Sequence, residues 1–89
     1  MNYYVYLLIS QNSKKIISYV GYTNNLKKRL ILHNSSKGAK FTRGRNWKLI
    51  FFKKYDNKKT AMKEEYRFKK NSSLRRMIKT NYLNKQEVF

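Results

Sequence analysis

The 89-residue sequence carries 22 lysines and arginines against four acidic residues, a formal charge of +18, with no cysteine and no proline. A chain of this length supports one core. The lack of cysteine excludes disulfide frameworks, zinc–thiolate centres and thiol nucleophiles together. With 40% hydrophobic and 16% aromatic residues the composition is that of a folding chain, so the charge does not read as disorder.

The elements follow in chain order. Tyr3 to Ile9 is a run of aromatic and branched residues and predicts a strand. Its alternation points Tyr4, Tyr6 and Leu8 one way and Tyr3, Val5, Leu7 and Ile9 the other. Gln11 to Lys15 is a polar turn, and Ile16 to Gly21 predicts the returning strand of a hairpin. Asn24 and Asn25 can cap a helix from Leu26 to about Ser35. SSKGAKFTRGRN is a basic loop with Gly38 and Gly44 as turn points, and Trp47 to Tyr55 predicts a third strand. Asp56 or Asn57 caps a second helix from Lys58 to Lys70, and Ser72 or Ser73 caps a third over LRRMIKTNYL. With a hairpin first and no repeated strand–helix unit, this order predicts an α+β fold, a small sheet covered by helices.

A charge of +18 favours a polyanionic partner, because each phosphate neutralised releases condensed counterions. Lysine far outnumbers arginine and asparagine is abundant, so AT-rich coding accounts for some of that excess. No apolar run approaches the roughly 20 residues that span a bilayer, and the start lacks the plan of a secretory signal. These features predict a soluble intracellular domain, cytoplasmic or nuclear, with no membrane and no obligate protein partner.

Few residues are available for chemistry. The acidic side chains are Asp56, Glu64, Glu65 and Glu87. On the second helix Ala61, Glu65 and Phe68 share one face, with Met62 widening the apolar stripe and Glu64 toward its edge. A carboxylate there must be paired, metal-bound or protonated, and a rim pair with a lysine is the plain alternative. Arg29 and His33, the sole histidine, are neighbours on the first helix at i, i+4. Together they suit phosphate chemistry, although a solvated helix face has the same spacing. Tyr6 and Tyr19 sit on strands expected to pair, so their hydroxyls could converge; as core tyrosines they would need no further role.

The order of these pieces resembles the GIY-YIG nuclease family. Tyr4-Val5-Tyr6 stands for its first tripeptide and Tyr19-Val20-Gly21 for its second. NNLKKRLILHN then supplies Arg29 and His33, AMKEEYRFKK supplies a glutamate, and KGAKFTRGR is similar to the basic loop of the small single-domain branch. The resemblance runs from Tyr3 to about Lys70 and covers most of one domain spanning 1–89.

The resemblance implies a three-stranded antiparallel sheet flanked by about three helices and a metal-dependent endonuclease that hydrolyses DNA phosphodiester bonds, single-stranded or branched DNA included and RNA not excluded. It implies Tyr6 or Tyr19 as general base or water-positioning group and Arg29 as the cation on the scissile phosphate. His33 would serve in proton transfer or phosphate contact, and Glu65 as the ligand of one Mg²⁺ or Mn²⁺. Lys37, Lys40, Arg43 and Arg45 are expected phosphate contacts of the loop, and Trp47 reads as core rather than as a stacking platform. Tyr4 replaces the glycine of the family name, Tyr22 stands where some relatives have lysine, and Asn71 is an insecure match to an asparagine found after the glutamate. The rival reading is a basic nucleic-acid-binding module with little or no catalysis.

Overall fold

The computed structural model describes residues 2–11 and 15–87, with side chains to Lys85. Its elements are β1 (Tyr3–Gln11), β2 (Ile16–Thr23), α1 (Leu26–Asn34), a 3₁₀ turn (Lys40–Thr42), β3 (Lys48–Tyr55), α2 (Lys58–Lys70) and α3 (Ser72–Glu87). The three strands form one antiparallel sheet in the order β2-β1-β3. This is the α+β arrangement expected, with three helices.

β1 is central, so both of its edges are paired; with helices packed on both faces, Val5 through Ser10 are all buried. Its register places Tyr6 between Gly21 and Phe52, and Leu8 between Tyr19 and Leu49, with an irregularity against β3 between Leu7 and Leu8. The alternation read from the sequence divides the core in two. Val5 and Leu7 join Val20, Ala61 and Phe68 on one side of the sheet, under α2 and α3. Tyr6 and Leu8 join Trp47 on the other, with Leu26 and Leu30 of α1 packed against them.

Local chemistry sets the ends of the helices. Asn25 Oδ1 accepts from Lys28 N at 3.1 Å at the start of α1, and Asn57 Oδ1 accepts from Thr60 N at 2.8 Å at the start of α2. Such caps are each worth about 1 kcal/mol. α3 differs from expectation: its start is capped by Asn71, whose Oδ1 accepts from Leu74 N at 3.1 Å, because α2 runs almost directly into α3. Asn71 is therefore the joint between two helices. Met62 also departs from the predicted stripe and is 47% exposed, while Ala61 and Phe68 are buried. The stripe is narrower than the hydropathy pattern suggested. β2 continues two residues past Gly21, β3 starts at Lys48, and the turn expected between β1 and β2 falls largely outside the described residues. Among the described residues, no helix is long and apolar enough to cross a membrane.

Candidate active site

Tyr6 leaves the middle of β1 directly over Gly21 of β2. A Cβ at Gly21 would stand 2.6 Å from Tyr6 Cζ, so the missing side chain is what lets the phenol lie flat across β2. Beyond Gly21 the Tyr6 hydroxyl meets His33 Nε2 at 2.9 Å. His33 is brought there by α1, whose last turn faces the sheet. Its other nitrogen, Nδ1, lies 2.9 Å from Thr42 Oγ1. Tyr6, His33 and Thr42 are all at most 2% exposed.

The loop after α1 is held against the imidazole from several sides. Gly38 lies so close to the ring that a Cβ there would come within 2.8 Å of His33 Cε1. Asn34, ending α1, takes Trp47 N on its Oδ1 and donates its Nδ2 to Trp47 O at 3.1 Å. The Trp47 indole Nε1 in turn donates to Thr42 O at 2.9 Å. Trp47 is thus core, as expected, and its polar atom fastens the turn that carries Thr42.

Tyr19 packs beside this pair, its ring centroid 5.1 Å from His33 and 6.5 Å from Tyr6. On its outer side it stacks with Phe41 at 6.1 Å, and Phe41 is 58% exposed. Arg29, one turn before His33, lies beside Tyr6 and Leu8 and also borders a cleft of about 360 Å³ with Tyr3, Tyr22, Thr23, Asn24 and Lys58. Among the described residues its buried Nε has no hydrogen-bond partner. An orphaned charged donor costs at least about 1–3 kcal/mol, and an anionic oxygen is the group that would satisfy it.

Burial and then the neighbouring Tyr19 push the Tyr6 hydroxyl up to about 12; the Arg29 guanidinium pulls the other way, and Glu65 adds to the rise. Burial, reinforced by Arg29, holds His33 below the ordinary histidine value. Both groups are therefore neutral near pH 7, a phenol against an imidazole.

The two adjacent glutamates of α2 serve different layers. Glu64 pairs with Arg67 at 3.2 Å and borders a cavity with Val5, Phe51 and Tyr55, where, after burial, it helps to raise the Tyr55 hydroxyl. Glu65 lies 3.6 Å from Lys69 Nζ, with its side chain 18% exposed, and its charge reaches Tyr6. The lysine pair foreseen as the plain alternative does form, alongside the approach to Tyr6. Among the described residues no three histidine, cysteine or acidic side chains cluster. Glu65 alone fits a hard ion that takes its remaining ligands from water and phosphate, as Mg²⁺ does.

Tyr6, Tyr19, Arg29 and His33 thus come together, Glu65 is within electrostatic reach, and Lys37, Lys40, Arg43 and Arg45 are exposed on the adjoining loop. The solvated-face alternative for His33 does not hold, because it is 1% exposed with both ring nitrogens hydrogen-bonded inside the protein. Asn71 Oδ1 caps α3. Thr42 carries no mark in the sequence, since it stands nine positions after His33 and no local spacing marks the pair, and Gly38 reads there only as a turn point.

Comparison with known proteins gives a consistent result. Residues 2–79 match the GIY-YIG catalytic domain. A UPF0213 protein of Oceanobacillus iheyensis is 48% identical over 68 residues, covering 75% of this chain and 76% of that protein. One from Lactiplantibacillus plantarum is 39% identical over 97% of this chain and 82% of its own length. The solution structure of a UPF0213 protein from Bacillus halodurans aligns with a TM-score of 0.50 at 35% identity, over 92% of this chain and 85% of that one.

Proposed function

The chain belongs to the GIY-YIG catalytic-domain family, a nuclease family, and from that premise we propose that it is a single-domain endonuclease hydrolysing phosphodiester bonds in DNA. The observation that carries this reading is the unpaired Nε of Arg29 beside the buried Tyr6–His33 hydrogen bond. A cation with a donor left open among the described residues stands next to a proton donor–acceptor pair, which is the complement of a phosphodiester and its attacking water.

In the reaction, Arg29 carries the charge that grows on the non-bridging oxygens. The Tyr6 oxygen takes a proton from the attacking water while its own proton moves to His33 Nε2. That concerted transfer avoids a free phenolate, which a hydroxyl raised to about 12 would form rarely. Tyr19 holds the imidazole from the side. Lys37, Lys40, Arg43 and Arg45 take the flanking phosphates, and RNA presents the same backbone charge. Glu65 would hold one Mg²⁺ or Mn²⁺, which supplies Lewis-acid charge to the phosphate and the leaving oxygen.

The test is cleavage of labelled single-stranded, duplex and branched DNA at low salt with Mg²⁺, Mn²⁺ or chelator, beside Glu65→Ala. Metal-dependent cutting, abolished in Glu65→Ala with binding retained, is expected. Tight binding without a nick under any metal would instead make the chain a binding module.

A further inference from the structure

The Thr42 hydroxyl has one proton and three neighbours. It lies 2.9 Å from Ala39 O, 3.2 Å from Ala39 N and 2.9 Å from His33 Nδ1. Ala39 N–H can only donate to it and Ala39 O can only accept from it. If the hydroxyl gives its proton to Ala39 O, His33 Nδ1 must carry a hydrogen and donate to Oγ1. Nε2 is then bare and accepts the Tyr6 O–H. Every donor in the series has an acceptor.

The opposite arrangement fails on this count. A Thr42 hydroxyl donating to Nδ1 would leave the hydrogen on Nε2, pointing at the Tyr6 oxygen. The Tyr6 proton would then need another acceptor. Among the described residues the hydroxyl is hydrogen-bonded to His33, and the other side chain drawn to it, Arg29, is a donor. The Tyr6 proton would then pair with no group among the described residues and only with solvent at the 2% of the residue left exposed, whereas the first arrangement pairs it within the protein.

We infer that Thr42 is a positioning residue: it fixes His33 as the Nδ1–H tautomer and so leaves Nε2 free to receive the Tyr6 proton. It acts through His33 and touches neither water nor phosphate. The backbone holds it in register, with Ala39 O also accepting from Thr42 N at 3.1 Å and Trp47 Nε1 donating to Thr42 O. The tautomer follows from the loop, and the loop is the segment that also carries the cations Lys37, Lys40 and Arg43. The consequence for catalysis rests on the nuclease reading; the tautomer itself does not.

His33 is the only histidine, so a ¹⁵N-labelled sample gives one imidazole to read. A long-range proton–nitrogen correlation on the unmodified protein at neutral pH, without substrate, is expected to show protonated Nδ1 and bare Nε2. Thr42→Ser keeps the hydroxyl and should keep both that signature and the cleavage rate. Thr42→Val keeps the shape but cannot accept, and should move the imidazole to the Nε2–H form or a mixture. With it kcat should fall about 10–1,000-fold, with KM unchanged. An Nε2–H signature in the unmodified protein overturns the inference even if Thr42→Val fails to fold. So does a folded Thr42→Val that keeps the original tautomer, or one that changes tautomer without losing kcat. If no cleavage occurs with any metal while the Nδ1–H signature is present and lost in Thr42→Val, the nuclease reading fails and the positioning role of Thr42 stands.

Discussion

The two faces of β1 are built from alternate residues of one strand, yet they bury opposite kinds of matter. Under α2 and α3, Val5 and Leu7 meet Val20, Ala61 and Phe68, an apolar layer rimmed by half-buried Phe51, Tyr3, Tyr22 and Tyr55. Under α1 and its loop, Tyr6 and Leu8 meet Trp47, with His33 and Thr42 buried to the same degree. Hydrocarbon burial stabilises by about 1.5–3 kcal/mol per large side chain. A buried hydrogen bond contributes only about 0.5–1.5 kcal/mol net, and losing one partner costs more than the bond gives. A domain this small has little reason to stake its interior on such a series for stability alone. The first face holds the sheet together, and the second is organised around the buried Tyr6–His33–Thr42 hydrogen bonds.

Paired substitutions should separate the faces most widely. Tyr6→Phe removes one oxygen and should lower cleavage by about 10²–10⁴-fold, while costing about 1–2 kcal/mol in stability for the bare acceptor left on His33. Leu7→Ala, one residue along and fully buried, should cost about 2–5 kcal/mol on a urea melt. Its rate per folded molecule should be unchanged. If Leu7→Ala, still folded, lost cleavage as Tyr6→Phe does, the division between faces would be false.

A smaller effect tests the spacing within the polar face. Gly21 is needed for room, since an added methyl overlaps the Tyr6 ring. Gly21→Ala should push the hydroxyl away from His33 and lower kcat by about 10–100-fold. Overpacking should cost about 1–3 kcal/mol. An unchanged kcat in Gly21→Ala would show that the Tyr6–His33 distance is not what matters.

Much of this division was legible in the sequence, and what was not has a physical reason. Period-two alternation separated Tyr6 and Leu8 from Val5 and Leu7, because a central strand leaves a side chain only two directions. The i, i+4 spacing placed Arg29 and His33 on one helix face, and helical period set Glu65 inside the apolar stripe with Glu64 toward its edge; Glu65 is the one whose charge reaches Tyr6. Met62 was misjudged because hydropathy reports what a residue tolerates, not whether a neighbour covers it. Thr42 was invisible for a different reason. Loops have no period, and its pairing with His33 depends on a 3₁₀ turn, a glycine without a side chain and the Trp47 anchor acting together.

The smallest predicted effect concerns pH, and it again separates the faces. Burial and Arg29 hold His33 below its ordinary value of about 6.5. As pH falls through that value the unfolded chain gains a proton that the folded one does not, so folding stability must fall. The loss begins near pH 6.5 and ends once the folded imidazole is itself protonated at its lower value. The single histidine resonance should titrate with a midpoint under 6.5, and the urea midpoint should drop between about pH 7 and pH 5.5. His33 lies on the other face of β1 from Leu7, so Leu7→Ala should keep the same pH slope while lowering the whole curve. A histidine that titrates at or above 6.5, with stability flat across the window, would place His33 in water and dissolve the polar face as a buried unit.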